Sequence, residues 1–184
     1  MTKTAVKRVF WWLPRPSKSK YIGSFPLHFE KKLYTLLGID PEEHKILHPF
    51  GGGAEFGHTV ELPSQREFLA EFGIAPTFWG DAHDLHWIDD NIYDIVVCDP
   101  AYSKEEAKKL YNIDLPLKRG KWVSEAVRVC KVGGHIALYH RNLLPRPKGC
   151  SWEYLIAIAT RIEHHARLCG VFRKEMMKRD EKVL

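Results

Sequence analysis

The chain has 184 residues, 45% of them hydrophobic and 28% charged, with a formal net charge of +5 and a pI near 9.0. That size and balance suit one soluble domain with its own core. They exclude a membrane span, because no apolar run approaches the ~18 residues required, and they admit an acidic partner such as nucleic acid.

Residues Met1 to Arg8 are basic, with no apolar stretch and cleavage site behind them, so they are not read as a secretory signal. Cys98, Cys130, Cys150 and Cys169 form no Cys-x-x-Cys pair. That excludes a zinc ribbon or a redox motif and fits a reducing, cytoplasmic setting. Lys3, Lys7, Arg8, Arg15, Lys18 and Lys20 are interleaved with Phe10, Trp11, Trp12 and Tyr21. Residues 1–20 therefore read as a basic, aromatic N-terminal arm, suited either to phosphates and bases or to packing its tryptophans on the domain.

Phe29, Leu33, Leu36 and Leu37 have helical spacing and end at Gly38, a good helix stop. Lys45 to Leu47 reads as a strand entering a glycine loop, and His58 to Leu62 as a second strand. Pro63 to Phe72 reads as a helix with proline in its first turn, and Thr77 to Gly80 as a short strand. Tyr93 to Cys98 is apolar after Asp94, as a central strand buried on both faces requires. Helices are predicted over Lys104 to Asn112 and Lys118 to Cys130, then a strand over His135 to His140 behind Gly133-Gly134. Residues 141–150 form a loop, in which Arg141, Arg146 and Lys148 are placed either to touch phosphates or as a solvated basic stretch. Tyr154 to Thr160 and Arg167 to Arg173 are read as two strands, with one helix over 152–168 as the competing reading. The domain spans residues 21–175, and 176–184 is a charged tail. Alternating strands and helices make this an α/β domain with a mostly parallel sheet, whose ligand belongs at the carboxyl ends of the strands.

Three features sit at such ends. Gly51, Gly52 and Gly53 follow the first strand and let a ligand approach the main chain without Cβ interference. No Gly-Lys-Ser/Thr follows, so this is not a P-loop. Glu61 ends the second strand, where a carboxylate can accept two ribose hydroxyls. Asp81, with Ala82 beside it, ends the third, where a carboxylate can accept an adenine amino group. His83 and His86 lack the setting of a metal site, and no metal is expected.

The segment Val97-Cys98-Asp99-Pro100-Ala101-Tyr102 resembles the Asp-Pro-Pro-Tyr motif of amino methyltransferases of the class I S-adenosylmethionine-dependent superfamily. Ile46 to Ala54, containing His48, Pro49 and Phe50, is similar to the cofactor motif of the same enzymes. Phe25 to Leu33 resembles the helix that walls the methionine end of their pocket. The resemblance spans residues 21–173 and implies a Rossmann-like three-layer sandwich, with a seven-stranded sheet closing in an antiparallel hairpin. It implies S-adenosylmethionine held by Phe25, His48 to Gly53, Glu61, Asp81 and Ala82. Asp99, Pro100, Ala101 and Tyr102 become the catalytic segment: the Asp99 carboxylate and Pro100 carbonyl aim an exocyclic amine, and Tyr102 stacks on its base. A base in a duplex would first be flipped out.

The sequence departs from the family pattern at Ala101, in place of the second proline, at His48, in place of an acid, and in the short interval from Gly53 to Glu61. The leading expectation is N-methylation of adenine in DNA. RNA, a nucleotide or cytosine are alternative substrates, and a catalytically weak accessory protein is the alternative class. With no target-recognition domain in view, a homodimer or a separate specificity subunit is a further expectation.

Overall fold

The computed structural model describes residues 5–16, 21, 23–114 and 116–176. Lys3, Lys18, Lys20 and nearly all of the expected charged tail lie outside the described residues.

Eight strands form one sheet in the order β1-β7-β8-β6-β5-β2-β3-β4. They are β1 (Lys7–Trp12), β2 (Ile46–His48), β3 (His58–Glu61), β4 (Phe78–Trp79), β5 (Tyr93–Cys98), β6 (Cys130–His140), β7 (Cys150–Ala159) and β8 (Arg167–Lys174). Only β8 runs antiparallel to its neighbours β6 and β7; the other pairings are parallel. The Rossmann-like α/β expectation holds, including the hairpin over 154–173, with one strand more than the resemblance implies. The added strand is β1, drawn from the segment read as an arm. It pairs in parallel with β7, Trp12 opposite Ala159. Trp11 is buried while Phe10 and Trp12 stay exposed, so one anchoring ring on a strand with one free edge holds it to the sheet.

The helices are α1 (Phe29–Leu37), α2 (Arg66–Ala70), α3 (Lys104–Tyr111) and α4 (Arg119–Val129). α1 buries Phe29, Leu33 and Tyr34 against one sheet face, with Ile46, Ile95, Val97 and Ile156. Each such side chain contributes about 1.5–3 kcal/mol. Gly38 ends α1 with φ 67, and its N–H reaches back to Thr35 and Tyr34 carbonyls, as a left-handed helix stop does. α4 covers the opposite face, where Trp122, Ala126 and Val129 join Leu47, Val96, Ile136 and Phe172. No helix among the described residues is long and apolar enough to cross a membrane.

Two local expectations change. The helix predicted over Pro63 to Phe72 is a 3-10 turn, Pro63–Gln65, followed by the short α2. The helix before Gly133-Gly134 ends at Val129, and β6 already begins at Cys130. The two glycines carry an irregularity of the strand, with Gly133 at φ 80 and a register shift against β5; they do not stop the helix.

The chain runs outward from β2 through β3 to β4, then returns to β5 on the other side of β2. That reversal is the switch point at which open α/β sheets bind ligands. The glycine loop after β2 and the Asp99 segment after β5 face each other across it. The β2–β3 link, residues 49–57, contains no helix, although parallel neighbours usually need a dozen or more connecting residues. Gly57 makes the short route possible. It lies at φ 77, and a Cβ there would meet the Ile46 carbonyl oxygen at 2.7 Å.

Candidate functional site

One cavity lies over the carboxyl ends of the strands. Its walls include Pro49, Phe50, Glu61, Asp81, Ala82, Asp99, Pro100, Ala101 and Tyr102. Residues from four separate strand ends, all expected from the sequence, thus meet in one place.

At one end Glu61, half-buried, accepts a hydrogen bond from the Gly52 N–H at 2.6 Å. Burial pushes its carboxyl up to about 7, against the lowering effect of that bond. One oxygen is held by the loop, and the other remains to accept further donors. Asp81 lies beyond it. Its Oδ1 accepts the His83 N–H at 2.9 Å and faces His83 Nδ1 at 2.7 Å. The Lys118 N–H donates to His83 Nε2 at 3.1 Å. Nε2 is therefore the acceptor nitrogen and Nδ1 carries the proton that Asp81 receives. Among the described residues, Asp81 is thus held through one oxygen, Oδ1.

At the other end stands Asp99. Burial pushes its carboxyl up to about 8, offset in part by a hydrogen bond from Tyr102 and by the charge of Arg167. Arg167 Nε donates to the Tyr102 hydroxyl at 3.2 Å, which links Arg167, Tyr102 and Asp99 in one chain. The Arg167 and Arg141 guanidinium groups lie 5.0 and 5.4 Å from the Tyr102 ring centroid, and the His140 ring lies edge-on at 4.8 Å. In this state the Tyr102 ring is engaged by arginine.

The loop that carries these groups is tied to α3. Ser103 caps the helix by accepting the Glu106 N–H, and Glu106 Oε2 accepts the Tyr102 N–H at 2.8 Å. The pattern Ser103-x-x-Glu106 is the sequence signal of a capping box, here with its acid turned one residue further back, onto Tyr102.

Several expected cofactor residues stand behind the wall. Gly51 packs on β3 so closely that a Cβ would collide with the Thr59 side chain, coming within 2.7 Å of its Cγ2. Gly52, at φ 43, lies under the Tyr21 ring, where a Cβ would come within 2.9 Å. Gly53 sits at the outer turn of the same loop, beside Ser24 and Tyr21. Phe25 packs on Phe29, His48 and Tyr139, with ring centroids at 4.9, 6.0 and 5.6 Å.

His48 is fully buried and turned toward α1. Its Nε2 lies 3.0 Å from the Tyr34 hydroxyl and 3.4 Å from Glu30. Burial holds His48 down to about 3 and pushes Glu30 up to about 7, so the imidazole is neutral. Tyr34 can then donate to His48 or to Glu30.

The sequence reading placed Arg15 and Tyr21 with the basic, aromatic arm rather than in this wall, and missed Gln65, Glu106, Tyr111, Tyr139, Thr160 and Arg167 altogether as wall residues. Only Glu106 carried a local signal. Tyr21, Tyr111 and Phe72 come together from distant segments, with ring centroids of 6.5 and 5.5 Å from Tyr21.

No family model matches the chain. A curated relative, the dephospho-CoA kinase of Helicobacter pylori, is 26% identical over 142 residues, covering 73% of this chain and 71% of that protein. The glycine loop here continues Gly53-Ala54-Glu55, without the lysine and hydroxyl residue with which a P-loop holds phosphate and magnesium. TrmN from Thermus thermophilus matches in structure with a TM-score of 0.59 at 18% identity, over 85% of this chain and 51% of that one. The chain thus spans about half the length of TrmN. A SAM-dependent methyltransferase from Methanosarcina mazei matches with a TM-score of 0.50 at 13% identity, over 77% of this chain and 97% of that one. At such identities the likeness is one of fold: the chain has the Rossmann-like fold of these structures.

Proposed function

We propose that the chain is an S-adenosylmethionine-dependent N-methyltransferase whose acceptor is an exocyclic amino group of a nucleic-acid base. The observation that carries this reading is the meeting of Glu61, Asp81 and the Asp99-Pro100-Ala101-Tyr102 segment in one cavity. Adenine in DNA is the first substrate to test, because the motif resembles that of amino methyltransferases; RNA and free nucleotides follow.

Two carboxylates of the cavity support the cofactor. Glu61 is oriented by Gly52 with an oxygen to spare for ribose hydroxyls. Asp81 is fixed by His83 with its second oxygen open to an adenine amino group. S-adenosylmethionine, when bound, supplies an electrophilic methyl group. His48, turned away from the cavity, would support the loop from behind.

The acceptor end has its own task. An exocyclic amine is a poor nucleophile because its lone pair is delocalised into the ring. The Asp99 carboxylate and the Pro100 carbonyl accept its two N–H bonds, localise the lone pair and aim it. Such positioning supplies most of the rate in a displacement that needs no strong base. Tyr102 holds Asp99 by a hydrogen bond. Its ring meets the base once an arginine moves off it.

The test is incubation with methyl-labelled S-adenosylmethionine and separate DNA, RNA, nucleotide and polypeptide pools, followed by nucleoside analysis. Label in an N-methylated nucleoside is expected. Label only in polypeptide, or no cofactor binding in calorimetry at millimolar concentration, would overturn the reading. Cofactor binding without transfer to any pool would favour an accessory role.

A further inference from the structure

The acceptor end of the cavity is ringed by arginines, and the topology explains how they arrive there. β1 runs parallel to β7, so its exit places Arg15 at the carboxyl ends of the strands. β6 ends there at His140, followed by Arg141. β8 runs the other way, so its first residue, Arg167, starts there. Arg15, Thr160 and Arg167 line the cavity beside Tyr102 and Tyr139, and Arg141 approaches the Tyr102 ring from outside.

These charges are poorly neutralised. Among the described residues neither Arg15 nor Arg167 has a carboxylate within ion-pair distance, and Arg141 has only Glu106, at 3.6 Å. Arg167 donates instead to neutral groups, the Tyr102 hydroxyl and the His165 carbonyl. Asp99 beside it is held largely protonated at neutral pH by burial. Guanidinium groups crowding one ring repel each other unless an anion joins them. Their planar forks match phosphate oxygens.

We propose that Arg15, Arg141 and Arg167 form a phosphate subsite at the acceptor end of the cavity, so that the amine is presented on a phosphate-bearing nucleotide unit. The proposal rests on the methyltransferase reading and deepens it by naming what the acceptor must carry. β1 gains a purpose in this view: the extra edge strand delivers Arg15 to a site that the rest of the sheet leaves short of one cation. Binding of phosphate by Arg167 and Arg141 would also draw them off Tyr102 and free its ring for the base.

The experiment measures binding of fluorescein-labelled short single-stranded DNA and RNA by anisotropy, between about 50 and 200 mM salt, for the wild-type chain and the Arg15→Gln/Arg141→Gln double variant. Both side chains are exposed, so the variant should fold; its melting temperature and its calorimetric S-adenosylmethionine affinity confirm that. Each lost phosphate contact lowers the slope of log affinity against log salt by about 0.7 for a single strand. The double variant is expected to bind at least about tenfold more weakly, with a slope shallower by about 1.4. Unlabelled adenosine monophosphate competing where adenosine does not points to a mononucleotide acceptor. Competition only by oligonucleotide points to a strand; both support the subsite. An unchanged slope and affinity, or equal competition by polyaspartate, would overturn it. Absence of S-adenosylmethionine binding in the wild type, with strand binding intact, would instead remove the methyltransferase reading and leave the subsite standing.

Discussion

Asp99→Asn replaces the central carboxyl with an amide of nearly the same shape, and its consequences run through both stability and rate. In the folded chain burial raises this carboxyl from 3.8 to about 8. That rise corresponds to about 5–6 kcal/mol against the ionised form at 1.36 kcal/mol per pH unit. Asp99 is only half-buried and faces the cavity, so screening reduces the expected cost to about 2–4 kcal/mol. Between pH 3.8 and about 8 the folded chain binds a proton that the unfolded chain has lost. Stability therefore falls as pH rises through this window, and levels off above it.

The Asp99→Asn variant lacks this dependence. At about pH 8 it should be more stable than the wild type by about 2 kcal/mol or more, or several degrees in Tm, and close to it at about pH 4. Its methyl transfer should fall about 100-fold or more, because a neutral amide accepts the amine N–H more weakly than a carboxylate does and cannot offset the positive charge that develops on the nitrogen. In the wild type, kcat/KM should climb about tenfold per pH unit below about 8 and then flatten. Thermal melts at both pH values and a kcat/KM profile from about pH 6 to 9.5 are the assays. A flat profile, or a variant whose Tm follows pH as the wild type does, would refute the placing of a buried, ionising carboxyl at the centre of the reaction.

Two further expectations concern the cofactor end. Burial raises Glu61 to about 7, and only its ionised form accepts two hydroxyls. Calorimetric S-adenosylmethionine affinity should therefore rise up to about tenfold from about pH 6 to 8. Glu61→Gln should abolish that rise and weaken binding by about 10- to 100-fold. An unchanged dissociation constant would remove Glu61 as the ribose ligand. Gly51→Ala would drive a Cβ into the Thr59 side chain, 2.7 Å from Cγ2 and 3.0 Å from the Thr59 backbone. The strain should cost about 1–3 kcal/mol, seen as a Tm lower by several degrees; an unchanged Tm would mean that the loop can move off β3.

The readable parts of the sequence were those whose signal is local. β5 is apolar from Ile95 to Cys98 because both faces are covered there, and Gly38 stops α1 by its own conformation. The Asp99 segment could be found because consecutive residues make it. β1 was not legible because its residues mix charge and aromatics without clean alternation; only Trp11 is anchored, and its pairing partner lies near residue 154. α2 fell short of its predicted length because, within the span read as helix, residues 63–65 form a 3-10 turn. The cavity wall was half-legible for the same reason. Glu61 and Asp81 announce themselves at strand ends. Arg15, Tyr139 and Arg167 reach the site through sheet order, which no local pattern encodes. His48 sits within the cofactor-like motif, yet its side chain belongs to a buried cluster with Tyr34 and Glu30.

Ala101 is the departure that falls within the proposed catalytic segment, and the surroundings of Tyr102 show what would compensate for it. A second proline would fix one backbone angle before folding, worth about 0.4–1 kcal/mol. In its absence Tyr102 is held at both ends: its N–H donates to Glu106 at 2.8 Å and its hydroxyl accepts from Arg167 at 3.2 Å. A hydrogen bond to a charged acceptor contributes about 1.5–3 kcal/mol, more than the proline would. The ranking of two variants follows. Ala101→Pro should leave kcat within about threefold of the wild type. Glu106→Gln should lower it about tenfold with cofactor affinity unchanged. It should also move the Asp99 inflection in the pH profile downward, since the Glu106 charge helps to hold that carboxyl up. A residue acting only on stability would not shift the inflection. If Ala101→Pro raised kcat strongly while Glu106→Gln left both rate and inflection alone, the loop would be ordered by something other than the anchor at α3.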